Sequence, residues 1–152
     1  MRLLLDTNVL LLVIVGQLKP SLIGTHRRLK DFDQDDFVLV DQLSAQTLQH
    51  ISTPHILAEV SNFLGSGSQE LVDGGTSAMA DYIAVLDEIY APARDLAATI
   101  EFHALGLTDA AIYHLAQSDT RVISMDFHLC NRLAAKEIDV INPRHFRTPH
   151  YG

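Results

Sequence analysis

Four acids, Asp6, Glu59, Asp109 and Asp126, stand at equivalent places along the chain, near strand ends and helix starts, with apolar sequence between them. Asp6 ends the apolar run Leu3-Leu4-Leu5, and Glu59 lies in the first turns of a helical pattern that follows a strand pattern. Asp109 comes just after Gly106 at the start of another helical pattern, and Asp126 lies just past Val122-Ile123-Ser124. An ionised Asp in apolar surroundings is costly unless something pairs with it. Carboxylates gathered at one point raise each other's pKa unless a cation neutralises them. All-oxygen donors suit Mg²⁺ or Mn²⁺, ions that acidify a bound water and stabilise charge on a phosphate displaced in line. That chemistry needs no nucleophilic side chain. The chain accordingly offers no Ser/His/Asp or Cys/His arrangement and no phosphate-cradling glycine loop.

These acids can meet only if the elements carrying them share an edge. Residues 2–6 predict a buried strand, followed by a helix through Val9 to Val15 that Gly16 and Pro20 close. A basic stretch, Lys19 to Lys30, gives way to an acidic one, Asp31 to Asp36, read as a solvated loop. Phe37, Val40, Leu43, Ala45 and Leu48 fit an amphipathic or partly strand-like segment. His50 to Thr53 predicts a second strand, with Thr53-Pro54 as helix cap and first helical residue. The helix through Ile56, Leu57, Val60 and Phe63 ends near Gly65. Gly65 to Ser68 reads as a flexible link, and Gly74-Gly75 as a second break.

Thr76 to Tyr90 predicts a helix with Met79, Ile83, Leu86 and Ile89/Tyr90 on one face, and Pro92 opens another that Gly106 stops near Leu105. Thr108 is expected to cap a helix through Ala111, Ile112 and Leu115. Arg121 to Ser124 then predicts a strand, Asp126 to Lys136 a helix, and Ile138 to Ile141 a last strand. Strand and helix alternating with short links is the pattern of a parallel sheet. In such a sheet, strand ends and the helix starts that follow them share one edge, where ligands bind.

The 152 residues are expected to form one domain, with 47% apolar and 20% charged residues arguing against disorder. Nineteen acids against eleven Lys and Arg leave a formal charge of −8, the opposite of a generic nucleic-acid reader. An RNA partner would therefore need a metal ion or a local basic patch to offset that field. Cys130 is the single cysteine, which excludes an internal disulfide and makes reducing cytoplasm the expected compartment. The apolar run from Leu3 to Val15 carries Asp6, lacks a clear cleavage site and is too short to span a membrane.

Four segments carry a resemblance: Asp6-Thr7-Asn8-Val9-Leu10, Leu57-Ala58-Glu59-Val60, Leu107-Thr108-Asp109-Ala110-Ala111-Ile112 and Ser124-Met125-Asp126-Phe127-His128-Leu129. In this order, over nearly the whole chain, they resemble the motifs of PIN domains, many of which are metal-dependent ribonucleases, including the VapC-type toxins. The resemblance implies a three-layer α/β/α fold with a central parallel sheet. It also implies that Asp6, Glu59, Asp109 and Asp126 hold one or two Mg²⁺ or Mn²⁺ ions. The implied reaction is hydrolysis of RNA phosphodiesters, leaving a 5′-phosphate and a 3′-hydroxyl. Asn8 and Ser124 match polar positions that support the carboxylates. The implied partners are an RNA substrate, an antitoxin protein and a second copy of the chain, whose candidate interface is the apolar helices between Thr76 and Leu105. The chain departs from some members by having Phe127 and His128 where they carry a further acid.

Plainer roles stand beside these. Asp109 can favour a helix dipole and Asp126 can cap a helix; Thr7 and Thr108 are read as local hydrogen-bonders. The basic stretch and the tail with Arg144, His145, Arg147 and His150 are read chiefly as solvated surface, and Tyr82, Tyr90, Leu86 and Ile89 as core or dimer face. Two rival functions remain: a non-catalytic PIN-like binding module, and a haloacid-dehalogenase-like phosphatase with Asp6 as nucleophile. Asn8, where the latter needs a second Asp, makes it a poor fit.

Overall fold

Leu3, Leu4 and Leu5 are 0–1% exposed in the computed structural model, which describes residues 1–147. Successive strand residues point to opposite faces of a sheet, so three buried in a row require cover on both faces. Their strand, β1 (Arg2–Leu5), leads into α1 (Thr7–Leu18), whose residues from Val9 to Gly16 are all buried. Short 3₁₀ turns at Pro20–Thr25 and Arg27–Leu29 precede α2 (Gln34–Gln46), β2 (Gln49–Ser52) and α3 (Pro54–Gly65). A π-helical turn, Leu71–Gly75, runs into α4 (Thr76–Val85) and the two-residue β3 (Asp87–Glu88). Then come α5 (Ala93–Ala97), α6 (Ile100–Leu105), α7 (Leu107–Leu115), β4 (Thr120–Ile123), α8 (Phe127–Ala135), β5 (Asp139–Ile141) and a closing 3₁₀ turn at Pro143–Phe146.

The five strands form one parallel sheet in the order β3-β2-β1-β4-β5. β1 is central, with Leu4 in register with Ile51 on one side and Val122 on the other. The chain steps outward through β2 and β3, then returns to the far side of β1. The carboxyl ends of β1 and β4 are therefore the point where the winding reverses, which in such sheets is where a crevice opens. Helix α1 packs against α2, α3 and α4, and α7 against α5, α6 and α8 as well as α3. No helix among the described residues is long and apolar enough to cross a membrane.

Several sequence expectations give way to packing. Gly16 does not end the first helix. A Cβ there would stand 2.3 Å from Cδ2 of Phe37, so the residue is small to let α2 approach. The ambiguous segment around Val40 is helical, and Leu48 lies beyond its end, fully exposed. Gly74-Gly75 is no break either: the backbone continues through it into α4, with Gly74 against Leu18 and Gly75 against Leu64. The helix expected from Thr76 to Tyr90 stops at Val85, because Asp87–Glu88 adds an edge strand beside β2. Of the two places expected for Tyr90, core or dimer face, its 68% exposure excludes the core. The helix expected after Pro92 is two short ones, restarted where the Thr99 hydroxyl accepts from the Phe102 amide.

The acidic stretch is not simply a solvated loop. Asp33 and Asp36 form a reciprocal capping box at the start of α2, and Asp36 is 2% exposed. By contrast, the Thr53 cap with Pro54 at the first helical position is found as expected, its hydroxyl accepting from the Ile56 amide at 3.2 Å. His150 of the basic tail lies outside the described residues.

Candidate functional site

Asp6 leaves β1 and caps α1, its Oδ1 accepting the Thr7 amide at 2.8 Å. Across the reversal point, at the end of β4, the fully buried Ser124 donates its hydroxyl to Asp6 Oδ2 at 2.7 Å. The same Ser124 oxygen accepts the Asp126 amide at 3.0 Å, and Asp126 caps α8 by accepting from the Leu129 amide at 2.9 Å. One serine thus ties the first acid to the fourth.

Glu59 arrives from the other side, on the second turn of α3. Thr7 donates its hydroxyl to one Glu59 oxygen at 3.0 Å, and the Thr108 hydroxyl donates to the other. Neither threonine is a local hydrogen-bonder, and Thr108 does not cap α7. That cap is Gly106, which adopts φ +87°, a conformation open to glycine and strained for other residues. Asn8 lines the same cavity but is exposed, and among the described residues it makes no hydrogen bond to a carboxylate.

Asp109 sits in the first turn of α7, where the helix dipole favours the ionised form. A dipole contributes at most about 2 kcal/mol, and here it loses. Burial, then the charges of Asp6, Asp126 and Glu59, push the Asp109 carboxyl up to about 8. Burial also raises Asp6, against the hydrogen bonds from Ser124 and Thr7 that lower it. Both shifts express one fact: Asp6 and Asp109 are held in partly desolvated space beside the charges of Glu59 and of an exposed Asp126. That space is a cavity of about 420 Å³ lined by all four, together with Thr7, Thr108, Arg28, Phe63 and Arg144.

The donor set is all oxygen, as a hard cation requires. Yet among the described residues no three His, Cys, Asp or Glu side chains are grouped so as to hold an ion as they stand. The hydrogen bonds account for this arrangement: Glu59 has both oxygens turned to threonines, and Asp126 is held to its helix start. Each carboxylate oxygen has two lone pairs, so those bonds leave a donor position free. The residues fit a divalent cation in chemistry and charge, with side-chain convergence as the remaining step.

Arg28, Phe63 and Arg144 were not singled out as site residues in the sequence. Arg28 and Arg144 were visible only as members of basic runs, and Phe63 as one more apolar helix position. Cys130 offers no nucleophile: it is buried, donates to the Ser124 carbonyl, and burial pushes its thiol up to about 11. No protein-family model matches the chain, and no curated protein matches it.

Proposed function

We propose that this chain is a PIN-like, three-layer α/β/α protein acting as a Mg²⁺- or Mn²⁺-dependent endoribonuclease. The observation that carries the reading is the single cavity lined by Asp6, Glu59, Asp126 and Asp109, where burial and the other three acids push the Asp109 carboxyl up to about 8. Such a group holds a proton at neutral pH in place of a cation. Asp6, Glu59, Asp109 and Asp126 would hold the ion, which when bound supplies an acidified water and neutralises charge at the scissile phosphate. Ser124 holds the Asp6 carboxylate, and Thr7 and Thr108 hold Glu59, so each of these two acids would enter the ion's shell from a defined position as the side chains converge. To hold an ion Asp109 would have to be ionised, so ion binding would be accompanied by release of its proton to solvent.

The test is cleavage of total RNA with Mn²⁺, with the cut ends mapped. Wild type should cut and leave 5′-phosphates; chelator, or Asp6→Asn, should reduce the rate more than about a hundredfold, beyond the usual loss from a supporting group. Cutting that persists unchanged in chelator sinks the mechanism.

A second reading, a binding module of the same fold that does not cut, draws on the absence among the described residues of any three side chains grouped to hold an ion. Calorimetry separates the two, since no heat of binding at millimolar Mn²⁺ favours the module. We further place the chain as the toxin half of a toxin–antitoxin pair, and as a homodimer through the stretch that exposes Ile83, Val85, Tyr90 and Ile100. A monomer by light scattering at micromolar concentration removes the dimer. Cleavage left uninhibited by co-expressing the neighbouring open reading frame counts against the pairing.

A further inference from the structure

The acid cavity has a second half that the metal chemistry does not use. Phe63 lies four residues after Glu59 on α3, hence one turn along the same helix face. The Arg28 guanidinium lies over its ring, with Cζ 4.2 Å from the ring centroid. Buried His26, 4% exposed, holds both partners: Nδ1 accepts the Arg28 amide at 3.1 Å, and Nε2 lies 2.9 Å from the Phe63 carbonyl. Since Nδ1 accepts, the ring proton sits on Nε2 and is donated to that carbonyl. A surface arginine is seldom tethered in this way. Among the described residues no carboxylate pairs with Arg28, although acids outnumber bases around it.

We infer that the Arg28–Phe63 stack is a subsite for one unpaired base of an RNA whose backbone lies at the neighbouring acids. The choice of RNA rests on the nuclease reading above. A planar guanidinium backed by an aromatic ring offers its outer face to an unpaired base, as single-strand readers do. A base inside a duplex cannot reach it. Arg28 and Arg144 are also the only cationic side chains among the described residues lining the cavity. Among the described residues the Arg144 side chain is restrained only by an exposed Asp31 at 3.8 Å, a pair weak enough to exchange for a phosphate. A polyanion approaching four carboxylates needs such cations, and the stack sets one of them on the residue that lies one helical turn along from Glu59.

The experiment uses oligoadenylate RNA carrying 2-aminopurine, whose fluorescence falls when its ring stacks, added to the Asp109→Asn protein so that nothing is cut. Quenching is expected with the single strand, which should bind at least about tenfold more tightly than the same strand annealed to oligouridylate. Arg28→Lys in the same background keeps the charge but not the plane, so it should weaken single-strand binding about tenfold and abolish quenching while leaving the salt dependence unchanged. Phe63→Leu should do likewise, and Arg28→Lys, at an exposed residue, decides the matter if that variant does not fold. Equal quenching in the lysine variant, no quenching at all, or duplex bound as tightly as single strand overturns the inference. A wild-type protein that never cuts while quenching persists would remove the nuclease reading and keep the stack; cutting without quenching would do the reverse.

Discussion

Asp109→Asn is expected to make the metal-free protein more stable at pH 8 and, in the same change, to abolish RNA cleavage. The ordinary Asp109 pKa of 3.8 rises to about 8 in the folded chain. Between those values the folded protein keeps a proton that the unfolded chain has released, so stability falls as pH rises through the window. Converted directly, the shift corresponds to at most about 5 kcal/mol lost by pH 8. Asp6, whose carboxyl burial also raises, shares that loss. Asparagine has the same shape and no charge, and among the described residues no hydrogen bond to Asp109 is lost. The variant should therefore melt on the order of 5–15 °C higher at pH 8, using the usual conversion for a chain of this size. Near pH 4 the two proteins should converge. Mn²⁺ should raise the wild-type melting temperature more than the variant's, because only wild type has the full charge to neutralise. Thermal melts across the pH range check this, and a variant no more stable than wild type at pH 8 would refute the buried-charge account. A gain in stability joined to a loss of activity is the signature of a functional site held under electrostatic strain.

Arg147→Met should lower stability by about 2–4 kcal/mol, chiefly by stranding a carboxylate. Asp36 is 2% exposed and receives two guanidinium bonds, from Arg147 Nε at 3.1 Å and from its terminal nitrogen at 2.6 Å. Only the Asp33 amide remains to Asp36 when the arginine is gone. The guanidinium is itself partly solvated, which places the expected loss below that of a fully buried pair. Denaturant melts of Arg147→Met, Asp36→Asn and the double variant test the cause. If the stranded charge dominates, the double variant is more stable than the sum of the single losses allows. Strict additivity would mean that Arg147 contributes by packing alone.

The contrast between Asp6 and Asp36 indicates what could be read in one dimension. Asp6 interrupts a run too apolar for a solvated charge, so its burial was legible from its neighbours. Asp36 sits among Asp31, Asp33 and Asp35, and nothing local says that this one of the four is buried. Arg147, more than a hundred residues away, decides it. Thr7 and Thr108 show the same limit. Each has a plausible local partner, and each instead donates to Glu59, 52 and 49 residues distant. The glycines misled for a related reason. Gly16 and Gly74 read as chain breaks, whereas they are points where Phe37 and Leu18 come too close for a Cβ.

The sequence alone determined the alternation of strand and helix, the burial of the first strand, and the four acids at strand ends and helix starts. Those features rest on local periodicity and on the cost of an isolated charge in apolar surroundings, both of which act between near neighbours. Only the tertiary structure decided that β1 lies between β2 and β4, which is what sets Ser124 against Asp6 and brings four acids to one cavity. It also decided that Arg28 and Phe63 share that cavity, because a stack between residues 35 positions apart is set by how α3 meets the turn at Arg27–Leu29. Contacts of that kind follow from packing, and packing is satisfied only by the whole chain at once.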